Sequence, residues 1–294
     1  MIRLEMLMAA VLSLSTQVGA LDVGGFTPSA AVVYKTVGET QLKLHIFNSA
    51  GHKASDRRPA IVFFFGGGWV GGSPTQFFPH CEYLASRGMV AISAEYRTKS
   101  QHGTTPRECV KDGKSAVRWI RRHAAELGID PEKLAAGGGS AGGHVAASTG
   151  TATAFEEEGE DRTISSAPAA LVLFNPVFDN GPGGYGHDRV KEYWTDISPM
   201  RNIGPTTPPT IVFLGTRDKH VPVETAKEYK RLMEKNGRRC DLRLYEGQPH
   251  GFFNYKNQEF YTKTVAEMDR FLASLGYLRG EPDLARLPGP HEAE

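Results

Sequence analysis

The sequence predicts an α/β fold with a mostly parallel central sheet flanked by helices on both faces, and three observations predict it. Residues 60–65 (Ala60-Ile61-Val62-Phe63-Phe64-Phe65) form an unbroken apolar run, as a strand buried on both faces requires. Downstream, short apolar runs alternate with segments whose apolar residues recur at helical period, the pattern of successive β-α units. Finally, Gly137-Gly138-Gly139-Ser140-Ala141-Gly142-Gly143 reads as a strand turning sharply into a helix through glycines, with one serine at the apex.

At the start, residues 1–20 have the features of an export signal: positive charge at Arg3 and the amino terminus, a short apolar run over 6–14, and small residues at Val18-Gly19-Ala20. The apolar run is too short to span a bilayer, so no stable membrane insertion is expected. The mature chain is expected to begin near Leu21 and to work outside the cytoplasm, secreted or periplasmic. Residues 31–37 and 42–48 alternate as an antiparallel pair around Gly38-Glu39, and 51–59 is a polar connection to the buried run at 60–65. A helix follows over 77–86 and a strand over 89–94. Pro106 opens an amphipathic helix over 108–127, with Val110, Val117, Ile120 and Leu127 on its apolar stripe and Gly128 at its end. Arg118, Arg121 and Arg122 read as the solvated face of that helix, and Asp112 as a structural hydrogen-bond partner. Asp130-Pro131 turns the chain into the strand that carries Ser140, followed by a small-residue helix over 141–149. The acidic stretch 156–161 reads as a solvated loop. Residues 170–174 form a buried strand, and 175–203 a Gly- and aromatic-rich excursion over the sheet edge. A strand over 210–214, a helix over 223–236, a strand over 241–245 and a helix over 260–275 complete a single domain over 21–280. The charged, proline-containing remainder, 281–294, reads as a flexible tail.

Composition removes several function classes. A formal net charge of +1 over 294 residues gives no electrostatic footprint for nucleic acid. Cys81, Cys109 and Cys240 are too few for a disulfide scaffold; a Cys81–Cys109 bridge and burial as small hydrophobes both remain open. No His/Cys cluster has metal-binding spacing, and no metal or cofactor is expected.

The chemistry is expected in loops at the carboxyl ends of the strands. Gly138-x-Ser140-x-Gly142 holds a hydroxyl proud of the sheet at a helix N-terminus, a favourable place for a nucleophile beside developing negative charge. Gly66-Gly67-Gly68 follows the 60–65 strand and can turn backbone N–H groups inward. Asp218 follows the 210–214 strand, and His250 the 241–245 strand. An imidazole can take the serine proton during attack and return it to the leaving group, while a carboxylate orients the imidazole. His250 is preferred to His220 as base, because a histidine two residues from its orienting acid could not also reach Ser140. His144 reads as a packed helix residue, and His187 as either a substrate contact or an exposed side chain. Trp69, Tyr185, Trp194 and Phe252 are candidates to line the acyl or alcohol pocket, with core packing as the alternative for each.

From about Tyr34 to Leu275 the chain resembles the α/β-hydrolases of carboxylesterase/lipase type, near the hormone-sensitive-lipase and feruloyl/acetyl-esterase-like branches. The resemblance rests on Phe65-Gly66-Gly67-Gly68-Trp69, Ala94-Glu95-Tyr96-Arg97, Gly128-Ile129-Asp130-Pro131, residues 137–143, Asp218-Lys219-His220-Val221-Pro222 and His250-Gly251-Phe252. It implies a Ser140–His250–Asp218 triad with oxyanion donors at the N–H groups of Gly67, Gly68 and Ala141. Asp179 is the rival acid, since some members take it from that strand end, but Asp218 sits in the better context. Two features depart from the pattern. Phe65 stands where the lipase branch has a histidine that braces the glycine loop. No long helical segment precedes Ala31, so the large cap is expected to be missing and residues 180–203 are the only candidate lid. The expected activity is hydrolysis of short-acyl (acetyl) or feruloyl-type esters, free or borne on polysaccharide. A peptidase or amidase of the same fold, and a non-catalytic binding module, are the alternatives.

Overall fold

The computed structural model describes residues 25–289; the expected export signal lies outside the described residues. The strands are β1 (Ala30–Val37), β2 (Thr40–Phe47), β3 (Arg58–Phe64), β4 (Val90–Ala94), β5 (Ile129–Gly139), β6 (Ala170–Phe174), β7 (Thr210–Gly215) and β8 (Cys240–Tyr245). Between and after them run α1 (Phe78–Ser86), α2 (Lys99–His102), α3 (Pro106–Arg122), α4 (Ala141–Thr151), α5 (His187–Val190), α6 (Trp194–Ile197), α7 (Val223–Lys235) and α8 (Gln258–Ser274). The eight strands form one sheet in the order β1-β2-β4-β3-β5-β6-β7-β8. β2 pairs antiparallel with β1 and β4, and every other pairing is parallel.

Side-chain alternation along the central strands divides the core. Ala60, Val62 and Phe64 face α3, α4 and α7, meeting Val117, Val145 and Tyr229 within one apolar cluster. Ile61 and Phe63 face α1 and α8, where they join Phe78, Leu84, Met268 and Phe271. Both faces are covered, which is why these strands read as continuous apolar runs. β3, β5, β6, β7 and β8 run parallel, so their carboxyl ends share one rim.

Several expectations are corrected. The long helix stops at Arg122 rather than near 127, because the chain leaves helical geometry and turns back at Gly128 with φ +63°. Its arginines are not all solvated: Arg118 is buried and bonds Glu156, Glu160 and the Ile164 carbonyl. The acidic stretch is likewise a strap. Glu156 pairs with Lys114 and Arg118, and Glu157 with Lys35 and Arg97. Residues beyond Arg279 are held as far as 289: Leu284–Arg286 forms a helical turn, and Arg286 donates to the Ser86 carbonyl. All three cysteines are free and buried.

Asp112 anchors the strap. Its fully buried carboxylate accepts a two-pronged bond from Arg97 at 2.8 and 2.7 Å, the Arg97 N–H at 2.9 Å, and an ion pair from Lys35 at 2.7 Å. Removing Asp112 leaves the largely buried Arg97 and Lys35 charges with Glu157 alone to share between them. Asp112→Ala is therefore expected to destabilise the fold by about 3–5 kcal/mol, read as a lowered urea midpoint with an unchanged slope.

Candidate active site

Ser140 sits between β5 and α4 with φ +52° and ψ −117°, a conformation L-residues rarely adopt. The turn is held by the Ser140 N–H donating to the Phe174 carbonyl, and by the Ser140 carbonyl accepting from His144 and Val177. Gly142 is required by contact: a Cβ there would lie 2.0 Å from the Phe64 carbonyl oxygen.

The structure brings Ser140, His250 and Asp218 together. The Ser140 hydroxyl lies 2.9 Å from His250 Nε2, and His250 Nδ1 lies 2.7 Å from Asp218 Oδ2. The other carboxylate oxygen accepts the N–H groups of His220 and Val221 at 2.8 and 2.9 Å. Burial opposes ionisation of Asp218, but the bonds from His250 and from these two N–H groups win, and its carboxyl is held below the usual range. With an ionised carboxylate at Nδ1, that nitrogen carries the proton and Nε2 faces the serine as an acceptor, the arrangement a general base needs.

Gly67 and Gly68 line the cavity above Ser140, both at positive φ (130° and 63°). Among the described residues, the N–H groups of Gly67, Gly68 and Ala141 donate to no protein acceptor. Ala141 is the first residue of α4, so its N–H has no partner within the helix. The cavity holds about 300 Å³ and mixes the polar side chains of Gln76, Asn175, Arg189, His220 and Asn254 with the apolar ones of Val70, Tyr185 and Phe253.

The rival residues have other tasks. His220 faces His250 edge-on at 4.8 Å and packs on Tyr185, forming a cavity wall. Asp179 accepts the Gly181 N–H and caps the first turn of the excursion. His144 is buried, with Nε2 3.0 Å from the Ile197 carbonyl. His187 neither meets the cavity nor is fully exposed; it braces the excursion against the Asn180 carbonyl and Trp194. Of the four pocket candidates only Tyr185 lines the cavity. Trp69 is buried behind the glycine loop, edge-on to His144. Trp194 packs under Arg201 and Gly181. Phe252 turns inward onto Tyr245 and Phe260, and its neighbour Phe253 supplies the cavity floor instead. Adjacent aromatics in a loop have no periodicity to tell them apart. Sequence reasoning also passed over Gln76, Asn175, Asn254 and Arg189, all of which line the cavity. The one available signal was the position of Asn175, directly after a strand on the functional rim.

Comparison with known proteins finds esterases of the same fold. The BD-FAE family model matches residues 44–179, and the dienelactone hydrolase family model matches residues 185–279. Apo esterase 2 of Thermogutta terrifontis is 48% identical with a TM-score of 0.82, the match covering 85% of this chain and 96% of that one. The same esterase has been solved phosphorylated by paraoxon (TM-score 0.81, 48% identity) and with propionate bound (TM-score 0.80, 47% identity). Among curated proteins, esterase LipC of Mycobacterium tuberculosis is 29% identical over 66% of this chain and 53% of its own length. The isoprenylcysteine alpha-carbonyl methylesterase of Arabidopsis thaliana is 24% identical over 75% of this chain and 56% of its own. The chain thus spans about half the length of the curated relatives it matches.

Proposed function

The chain belongs to the serine carboxylesterases of the α/β-hydrolase superfamily, and from that premise we propose that it hydrolyses short-acyl carboxylic esters through an acyl-enzyme on Ser140. The observation that carries the proposal is the continuous Ser140–His250–Asp218 hydrogen-bond chain opening onto a cavity with unpaired backbone donors. Ser140 Oγ attacks the ester carbonyl carbon while His250 Nε2 takes its proton. The carbonyl oxygen becomes an oxyanion, received by the N–H groups of Gly67, Gly68 and Ala141. His250 then returns the proton to the departing alkoxide, and water repeats the cycle on the acyl-enzyme. Asp218 keeps the imidazole oriented and stabilises its cationic form. None of these steps calls for a metal or cofactor.

A short acyl group is favoured because the cavity holds only about 300 Å³ and Val70, Tyr185 and Phe253 are its apolar side chains. The related thermophilic esterase has been solved with propionate and with butyrate, which supports the same size class. On a series of p-nitrophenyl esters, kcat/KM is expected to peak at acetate to butyrate and to fall at least about tenfold by octanoate. A maximum at octanoate or longer would contradict the short-acyl reading. A feruloylated sugar and acetylated xylan, run beside the series, test the extension to aromatic and polymer-borne esters. A matched anilide tests the peptidase or amidase alternative. Export from the cytoplasm is part of the same proposal and is checked by finding a mature terminus near Leu21 on protein recovered outside the cell.

A further inference from the structure

Three side-chain amides that the triad does not use line the cavity and join the two loops the reaction depends on. Gln76 Oε1 accepts the Gly66 N–H at 2.6 Å, and Gln76 Nε2 donates to Asn254 Oδ1 at 2.8 Å. Asn254 Nδ2 donates to the Gly251 carbonyl at 2.7 Å. On the other face of the same residue, the Gly251 N–H donates to Asn175 Oδ1 at 2.9 Å, which leaves Asn175 Nδ2 3.4 Å from His250 Nε2. Each amide oxygen accepts, and the Gln76 and Asn254 amide nitrogens donate onward, so the chain of donors is consistent from the glycine loop through Gly251 to Asn175.

Two further observations make this more than incidental surface bonding. Asn175 is fully buried and has φ +35°, a strained backbone for a non-glycine residue, on the rim beside Ser140. Phe65 cannot hydrogen-bond its own loop; it stacks on Tyr96 at 4.2 Å, and the Tyr96 hydroxyl donates to the Phe65 carbonyl. The peptide that begins the glycine loop is therefore clamped by Tyr96 at the Phe65 carbonyl and by Gln76 at the Gly66 N–H.

We propose that Gln76, Asn254 and Asn175 form a positioning relay that sets the distance between the Gly66-Gly67-Gly68 donors and the His250 loop, so that oxyanion capture and proton transfer are aligned in the same transition state. This rests on the esterase reading above. The relay amides are positioning residues: Gln76 and Asn254 act through Gly66 and Gly251, and Asn175 through the Gly251 N–H beside His250. A linked network is worth more intact than its pairwise parts, so losing any one member forfeits most of the benefit.

The test is a double-mutant cycle on hydrolysis of p-nitrophenyl acetate, with Gln76→Met, Asn254→Ala and the double variant, and Ser140→Ala in parallel. Each single variant is expected to lose about 10- to 100-fold in kcat with KM changed less than about threefold. The double variant is expected to fall no more than about threefold below the weaker single. Gln76→Glu, which keeps an acceptor for the Gly66 N–H, is expected to recover part of the Gln76→Met loss. Thermal midpoints within a few degrees of the parent separate alignment from unfolding. Singles within twofold of the parent, losses that multiply in the double, or a fall in KM affinity instead of kcat would each overturn the relay. Ser140→Ala retaining activity would instead overturn the esterase reading, so the two failures are distinguishable.

Discussion

Replacing Ser140 with alanine is expected to lower kcat for ester hydrolysis by about five to six orders of magnitude. His250→Ala is expected to cost about as much, and the Ser140→Ala/His250→Ala double no more than either alone, because the pair acts as one unit. The 2.9 Å contact between them leaves His250 without a proton to take once the hydroxyl is gone, and leaves the hydroxyl un-ionised once the imidazole is gone. Asp218→Asn is expected to cost about 10⁴-fold with little change in fold, since an amide at that place supports the wrong imidazole tautomer. Residual activity in all three should remain above the uncatalysed rate, because the backbone donors of the glycine loop are untouched. Steady-state kinetics on one activated ester measures the whole set. Multiplicative losses in the double variant would mean that serine and histidine do not share a step.

The second large effect is acid lability from two buried histidines. His80 lies in a box of Phe63, Phe77, Phe174, Phe253 and Tyr261, and neither ring nitrogen reaches a partner among the described residues. Burial pushes it down to about 3, and burial likewise pushes His144 down to about 4 despite its bond to the Ile197 carbonyl. The unfolded chain binds a proton at each site below about 6.5, while the native state does not until these lower values. Stability is therefore full above about 6.5 and declines as pH falls toward 4, by about 1.4 kcal/mol per pH unit for each histidine. The carboxylates of Asp218, Glu156 and Glu157, held below their usual range, add a loss of the same sign at lower pH. His80→Leu is expected to roughly halve the slope between pH 6 and pH 4.5, read from urea unfolding at a series of pH values. An unchanged slope would show that His80 titrates normally.

What was legible in the sequence follows from which forces act locally. The central strands were readable because a sheet covered on both faces demands unbroken apolar runs, as at residues 60–65 and 170–174. Ser140, Asp218 and His250 were readable because each sits just past a strand end on one rim, where a parallel sheet collects its functional groups. The strap over α3 was not readable. Glu156 and Glu157 are charged residues in a loop, and only the fold brings Lys35, Arg97, Lys114 and Arg118 beneath them. Phe252 and Phe253 could not be ranked, because which of two neighbours faces a cavity depends on a loop conformation set by Gly251 at φ +80°. Gln76 left no signal at all. It lies on a short helical turn capped by Ser73, ten residues from the peptide it holds and far along the chain from Asn254.

The central claim is that one hydroxyl, activated by His250, is the attacking group. The most direct measurement is covalent capture with paraoxon, which phosphorylates the related esterase 2. Intact-mass spectrometry followed by peptide mapping should find a single phosphoryl adduct, on Ser140, formed in the parent and absent from Ser140→Ala. No adduct on the folded parent protein, or an adduct that persists in Ser140→Ala, would contradict the account.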